Sequence, residues 1–223
     1  MRSIRTVLAA ALAAAALALP AAAETELSFY TGIQEAPHSR VEGNDPGGLG
    51  AFSFLSAWKG RSFEAPPYYG FRATWWTRRN PNLGFGLDFS HNKVYADDAT
   101  LVSNGLTTLE FSDGLNTITA NVWWRWPGQW GNGRLTPYVG AGAGLAIPNV
   151  EFTSAGGRTF EYQVTGPAVE VVAGLKYNFN DKWAVFGEYK GVYTMNEAEL
   201  SNGGTLETNI MTNALNIGVS FSF

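Results

Sequence analysis

The chain has 223 residues, 19 acidic against 15 basic side chains and a net charge of −4, a mild acidity without a basic stripe that argues against nucleic acid as a partner. It contains no cysteine, which excludes disulfide stapling, thiol catalysis, attached c-type haem and cysteine-held iron–sulfur clusters.

Arg2 and Arg5 precede an apolar run from Val7 to Leu19, followed by Pro20 and Ala21-Ala22-Ala23. A positive head, a short apolar core and small residues at its end form the pattern of a secretory signal peptide. The run is shorter than the roughly 20 residues that cross a bilayer as a helix. Cleavage is expected after Ala23, so the chain divides into a signal peptide, residues 1–23, and an exported domain, residues 24–223.

Beyond the leader, segments alternating apolar and small or polar residues recur between turn residues, the period of a strand. The first runs from Leu27 to Gln34, with Leu27, Phe29 and Ile33 on one face. The second, Tyr68 to Arg78, and the third, Leu83 to Tyr95, are joined by the tight Asn80-Pro81-Asn82 turn. The fourth covers Leu115–Trp126, with Ile118, Ala120, Val122 and Trp124 outward, and the fifth Leu135–Ile147. The sixth covers Gly166–Phe179, the seventh Trp183–Met195 and the eighth Asn209–Phe223. In the last, Leu215, Ile217, Val219, Phe221 and Phe223 share one parity and Asn216, Gly218, Ser220 and Ser222 the other.

Short connections at 79–82, 127–134 and 180–182 alternate with long ones at about 35–67, 96–114, 148–165 and 196–208. The final strand, ending in Phe223, resembles that of bacterial outer-membrane β-barrels. The expected fold is therefore all-β: one eight-stranded antiparallel transmembrane β-barrel with short periplasmic turns and long external loops. The expected location is the outer membrane, with both termini periplasmic. Trp75, Trp76, Trp123, Trp124, Trp126, Trp130 and Trp183 all lie beside the short turns and suggest an aromatic girdle at the periplasmic interface.

With the oily parity outward, the lumen receives Tyr30, Gln34, Arg72, Arg78, Asp88, Asn121, Arg125, Glu170, Lys176, Glu188, Lys190 and Asn216. Opposite charges in comparable numbers suggest a paired network, since unpaired buried charges are costly. That network is either a polar plug or, near the external rim, the floor of an active site formed by Arg72, Asp88, Glu188 and Lys190. Gly140, Gly142 and Gly144 share a strand face and make room inside the barrel; they lack the strand–turn–helix setting of a dinucleotide site. No flavin, haem or nicotinamide motif is present.

The two histidines are His38, in the first long loop, and His91, near the external end of the third strand. His91 and Ser90 point to opposite faces and cannot pair as base and nucleophile. A divalent metal ion is a possible cofactor. Acidic external loops suit Mg²⁺ or Ca²⁺, and Asp97-Asp98, with His91 nearby in the chain, is the best local candidate. A facial triad of His38, His91 and a carboxylate is also conceivable. The segment Trp58–Trp76 concentrates aromatics, two arginines, Glu64 and Pro66-Pro67, and is expected to pack over the barrel mouth.

Leu27–Val41, Phe63–Trp76, Gly84–Asp98, Thr108–Asn116, Thr159–Leu175, Val185–Gly191 and Thr205–Phe221 resemble a group of alphaproteobacterial outer-membrane barrels identified as lipid A oxidases. The resemblance implies oxygen-dependent oxidation of the proximal glucosamine of lipid A, where it lacks its phosphate, to an aminogluconate unit, with peroxide as by-product. The candidate site is the external rim: His38, Glu64, Arg72, Asp88, His91 and Tyr95, with Asp97 and Asp98 as metal ligands beside His91. Outer-membrane lipids and lipopolysaccharide are the expected partners of a monomer. The alternatives are a non-enzymatic barrel for envelope stability or small-solute passage, and a lipid A acyl hydrolase.

Overall fold

The computed structural model describes residues 22–223; the leader expected over 1–23 lies, through residue 21, outside them. In chain order the elements are β1 (Ala22–Glu35), β2 (Ser39–Asp45), β3 (Gly50–Ser56), β4 (Trp58–Lys59), β5 (Tyr69–Thr77) and β6 (Leu83–Ala96). A short helix, α1 (Asp98–Ser103), follows, then β7 (Thr108–Arg125), β8 (Leu135–Ser154), β9 (Gly157–Tyr162), β10 (Gly166–Asn178), β11 (Trp183–Glu199) and β12 (Thr205–Ser222). The wall runs β1-β5-β6-β7-β8-β10-β11-β12 and closes where β12 pairs antiparallel with β1, from Glu26 opposite Ser222 to Glu35 opposite Asn213. These eight strands are the eight read from the sequence. The expected long loops are partly strand as well: β2 and β3 form a hairpin that pairs with β12, β4 pairs with β6, and β9 folds back on β8.

Several wall strands extend beyond their expected ends, and one physical rule accounts for this. In the lower part of β12, Leu215, Ile217 and Val219 are exposed on the outward parity, whereas in its upper part Leu206 and Ile210 are buried on the inward parity. The strand continues without a break, but its apolar face switches sides. The same switch occurs in β7, where Leu109, Phe111 and Leu115 are buried while Ile118 and Val122 face outward, and in β8, where Val150 and Phe152 are buried and Val139 faces outward. An outward apolar face suits a lipid solvent and an inward one suits water. Read for outward apolar residues alone, the pattern ends where the surroundings change, so the upper extensions go unread. Their inward side chains, together with Val94 of β6 and Trp58 of β4, build a single apolar cluster over the loop end of the barrel.

Two members of the expected tryptophan girdle turn inward. Neighbours in a strand face opposite ways, so of Trp75-Trp76 and Trp123-Trp124 only one of each pair can face outward. Trp76 and Trp123 are the buried ones. Gly140 of β8 makes the expected room for Trp123, since a Cβ there would lie 2.3 Å from its ring, and Gly84 of β6 makes room for Trp76, with a Cβ 2.7 Å from that ring.

The three hairpin tips at the loop end are tied by one carboxylate. Buried Asp45, the last residue of β2, accepts hydrogen bonds from the Leu49 N–H of the β2–β3 turn at 2.9 Å, from Ser154 Oγ of the β8–β9 tip at 2.6 Å and from Asn202 Nδ2 of the β11–β12 tip at 2.6 Å. Burial alone raises its pKa, but the hydrogen bonds from Ser154, Leu49 and Asn202 outweigh it and hold the carboxyl below its ordinary value. A folded-state pKa below the unfolded one gives stability that is present above the ordinary carboxylate pKa, about 4, and is lost as pH falls through the lower folded value. Acidification below that range is expected to release the tips, seen as faster amide exchange at Leu49. Asp45→Asn should show the fast exchange already at neutral pH, with no further acid step.

Candidate functional site

Inside the barrel, alternation aims the charged residues of four strands at one level. Arg72 on β5 lies opposite Asp88 on β6 in register. Its Nε donates to Asp88 Oδ2 at 2.7 Å, and its two terminal nitrogens grip Glu188 on β11 in a fork at 2.9 Å each. Lys190 Nζ reaches Asp88 Oδ1 at 2.6 Å and Glu170 Oε2, on β10, at 2.9 Å. Tyr30 donates to Asp88 at 2.6 Å, Tyr138 to Glu188 at 2.7 Å and Asn216 to Glu188 at 3.1 Å. Trp123 closes the set, its ring 4.2 Å from the Arg72 guanidinium carbon. All these groups are buried. Of the two readings of the lumen, the geometry is that of a plug: the charges face one another at mid-height rather than a cleft at the rim. Toward the turn end, Lys176 pairs with Glu26, and Arg125 with Glu24 at 2.7 Å. Arg78, expected in the lumen, is exposed beside the turn, because β5 ends at Thr77 before the alternation reaches it.

A second polar set occupies the outer wall. On β6 the outward side chains are Leu83, Phe85, Leu87 and Phe89, then His91, Lys93 and Tyr95. Leu83 to His91 is about the 9–11 residues that cross a bilayer core, so the change from apolar to polar falls at its loop-side boundary. His91 stacks on Tyr69 of β5, ring centroids 5.1 Å apart, and its Nδ1 lies 2.8 Å from Asn116 Oδ1 of β7. With the amide oxygen as acceptor, Nδ1 carries the proton and Nε2 is the free lone pair; Nε2 is buried and has no protein partner. The irregularity of β7 between Glu110 and Leu115 lays backbone directly over the imidazole: Gly114 has φ +107°, and a Cβ there would stand 2.3 Å from His91 Nδ1. Above it, Lys93 Nζ donates to the Glu64 carbonyl oxygen at 2.7 Å. The Arg61 guanidinium lies over the Tyr95 ring at 4.6 Å and pairs with the Glu64 carboxylate at 3.4 Å. Phe63, next to Glu64 in the chain, is exposed, as is Tyr162, whose hydroxyl donates to the Asp113 carbonyl at 2.8 Å.

The residues singled out from sequence therefore fall in three places. Arg72 and Asp88 belong to the lumen network; Glu64, His91 and Tyr95 share the outer-wall patch; His38 is exposed between β1 and β2. Asp97 caps α1, accepting the Thr100 N–H at 2.8 Å, and the Thr100 hydroxyl and amide hold its carboxyl below the ordinary range. Asp98 follows in the first turn of that helix. Among the described residues no three His, Asp or Glu side chains gather where they could share a metal ion. Both serines beside the histidines are engaged elsewhere: Ser90 with Thr117 in the lumen at 2.9 Å, Ser39 with the Trp58 indole at 2.8 Å. Tyr69, Lys93 and Asn116 were not singled out from sequence. Asn116 offers the signal that could have found it: it stands on the outward parity of β7, where Ile118, Ala120 and Val122 are apolar.

A family model described as outer membrane protein beta-barrel domain matches residues 7–223. Among solved structures, Neisserial surface protein A is 14% identical, with 89% of this chain and 97% of that one covered at a TM-score of 0.51. AlkL in DMPC bilayers is 15% identical, with 92% of each chain covered at 0.49. OprG from Pseudomonas aeruginosa is 10% identical, with 91% and 96% covered at 0.48. No curated protein matches the chain. The match to Neisserial surface protein A supports the barrel fold.

Truncating Arg72 leaves Glu188 without a cation in the lumen and Asp88 with Lys190 alone, and breaking a buried ion pair from one side costs about 3–5 kcal/mol. Arg72→Leu is expected to lower the free energy of urea unfolding by about that amount, and adding Glu188→Leu should recover part of the loss.

Proposed function

The chain belongs to the outer membrane protein β-barrel domain family, and on that premise we propose that it acts sideways, on lipid A in the outer leaflet, as a lipid A oxidase. The observation that carries this reading is the polar patch on the outward side of β5, β6 and β7, directly above the apolar belt. Acyl chains lying against Phe71, Phe89 and Ile118 bring a glucosamine headgroup level with His91, Asn116 and Lys93. The lumen network lies on the inward side of the wall, away from the lipid, whereas His91 and Lys93, though buried beneath neighbouring residues, lie on its lipid side. The segments resembling lipid A oxidases support the chemistry. The proximal sugar, free of phosphate at C1, gives its C1 hydrogen with the bonding electron pair to molecular oxygen, and its hydroxyl proton passes through a base to the hydroperoxide anion so formed, which leaves as hydrogen peroxide. The resulting lactone then adds water to become the aminogluconate. In this reading His91 Nε2, oriented through Asn116, takes the hydroxyl proton. A divalent ion remains compatible with the proposal, but no donor set on the outer wall assigns it a step. The protein works as a monomer, since its closed wall leaves no strand edge within the bilayer to be paired.

A second reading, a non-enzymatic barrel that stabilises the envelope, is favoured by the Asp45 tie and the lumen ion pairs, which need no substrate. The acyl-hydrolase reading loses support because Ser39 and Ser90 are committed away from the histidines.

The test is expression in an outer-membrane host whose lipid A lacks the proximal phosphate, followed by mass spectrometry of the extracted lipid. The expected outcome is a gain of one oxygen atom, reduced about a hundredfold or more in His91→Ala, as loss of a general base predicts, and weakened in Asn116→Ala. An unchanged mass, with the heat-modifiable gel shift of a folded barrel, would leave the second reading. Loss of an acyl chain would point to the hydrolase.

A further inference from the structure

The charged lumen is not dry to the same degree at its two ends. At the periplasmic mouth a cavity of about 470 Å³ is lined by Glu26, Arg125, Thr136 and Lys176 among others. Those four residues also line a second cavity, of about 10 Å³, which reaches Arg72, Tyr138, Trp76 and Trp123. The two spaces therefore stand in series, with the small one between the mouth and the ion pairs. About 10–15 Å³ is room for one water molecule, provided several polar groups can bond it. The small cavity offers such groups. The indole N–H groups of Trp76 and Trp123 are both buried and without a protein partner. Ser28 and Thr74 hydroxyls share its wall. Buried donors are rarely left unmade, since each costs about 1–3 kcal/mol. Further up, Glu170 Oε1 and Asn121 Oδ1 are likewise buried without partners. Beyond them the column stops: Leu109, Phe111, Leu115, Val150, Phe152 and Leu206 fill the external end with apolar side chains.

We propose that the lumen is a hydrated dead-end column, open only to the periplasm, with a binding site for a water molecule that joins the Trp76 and Trp123 indoles to the Arg72 ion pairs. The external apolar cluster is the seal. The inference is independent of any reaction at the outer wall and stands or falls separately from it.

The absence of cysteine makes the test clean. Thr136→Cys, on both cavities, and Thr117→Cys, between the ion pairs and the external cluster, are reconstituted in one orientation and exposed to a membrane-impermeant thiol reagent from either side. The periplasmic side should modify Thr136→Cys at least roughly tenfold faster than the external side, because a close-packed apolar seal excludes the reagent. External reagent should leave Thr117→Cys unmodified. In the unsubstituted protein, NMR should show water contacts at the Trp76 and Trp123 indole N–H groups, a readout that survives if a cysteine variant fails to fold. Equal modification from both sides, external labelling of Thr117→Cys, or indoles without water contact would overturn the proposal.

Discussion

Partway up β12, between Leu215 and Ile210, the surroundings change from lipid to water, and the apolar side chains change faces without any break in the strand. That exchange of solvent organises the molecule. Below it, the wall turns its apolar residues outward and must fill its own interior with what remains, which is polar and charged. Above it, the same strands turn apolar residues inward and build a compact cap. The two interiors, one ionic and one oily, sit end to end.

The ionic interior could exist only if its charges were mutually satisfied, because isolated charges in so confined a space would each cost several kcal/mol. Arg72 is the centre of the solution: it binds Asp88 and Glu188 at once, while Lys190 links Asp88 to Glu170. The consequence for function is spatial. A lumen packed with ion pairs and sealed by the cap leaves the outer wall and the loops as the working surfaces. On that wall the β7 irregularity presses Gly114 onto His91 and leaves one ring nitrogen buried without a protein partner.

Much of this was legible in the residues. Strict alternation located all eight wall strands, and the odd or even position of each charge placed Arg72, Asp88, Glu170, Glu188 and Lys190 in the lumen. The glycines of β8 announced room for bulk, although only the structure shows Trp123 filling it. Alternation, applied to the doubled tryptophans themselves, would have sent Trp76 and Trp123 inward. The upper strands were hidden because their apolar parity reverses, and the β2–β3 hairpin because it lies within what reads as a long loop. The outer-wall patch depends on register between β5, β6 and β7, which places Tyr69, His91 and Asn116 side by side. No spacing within one strand encodes that. Asp45, Ser154 and Asn202 are similarly remote in sequence and meet only through the fold.

The lumen is closed, so that whatever this barrel does it does from its outer surface. Single-channel recording of the folded protein in planar bilayers tests that claim most directly. The ion-pair network and the apolar cap predict a flat baseline across moderate voltages. Stable, reproducible conductance steps from the unsubstituted barrel would contradict the account and make the lumen a pathway for solutes.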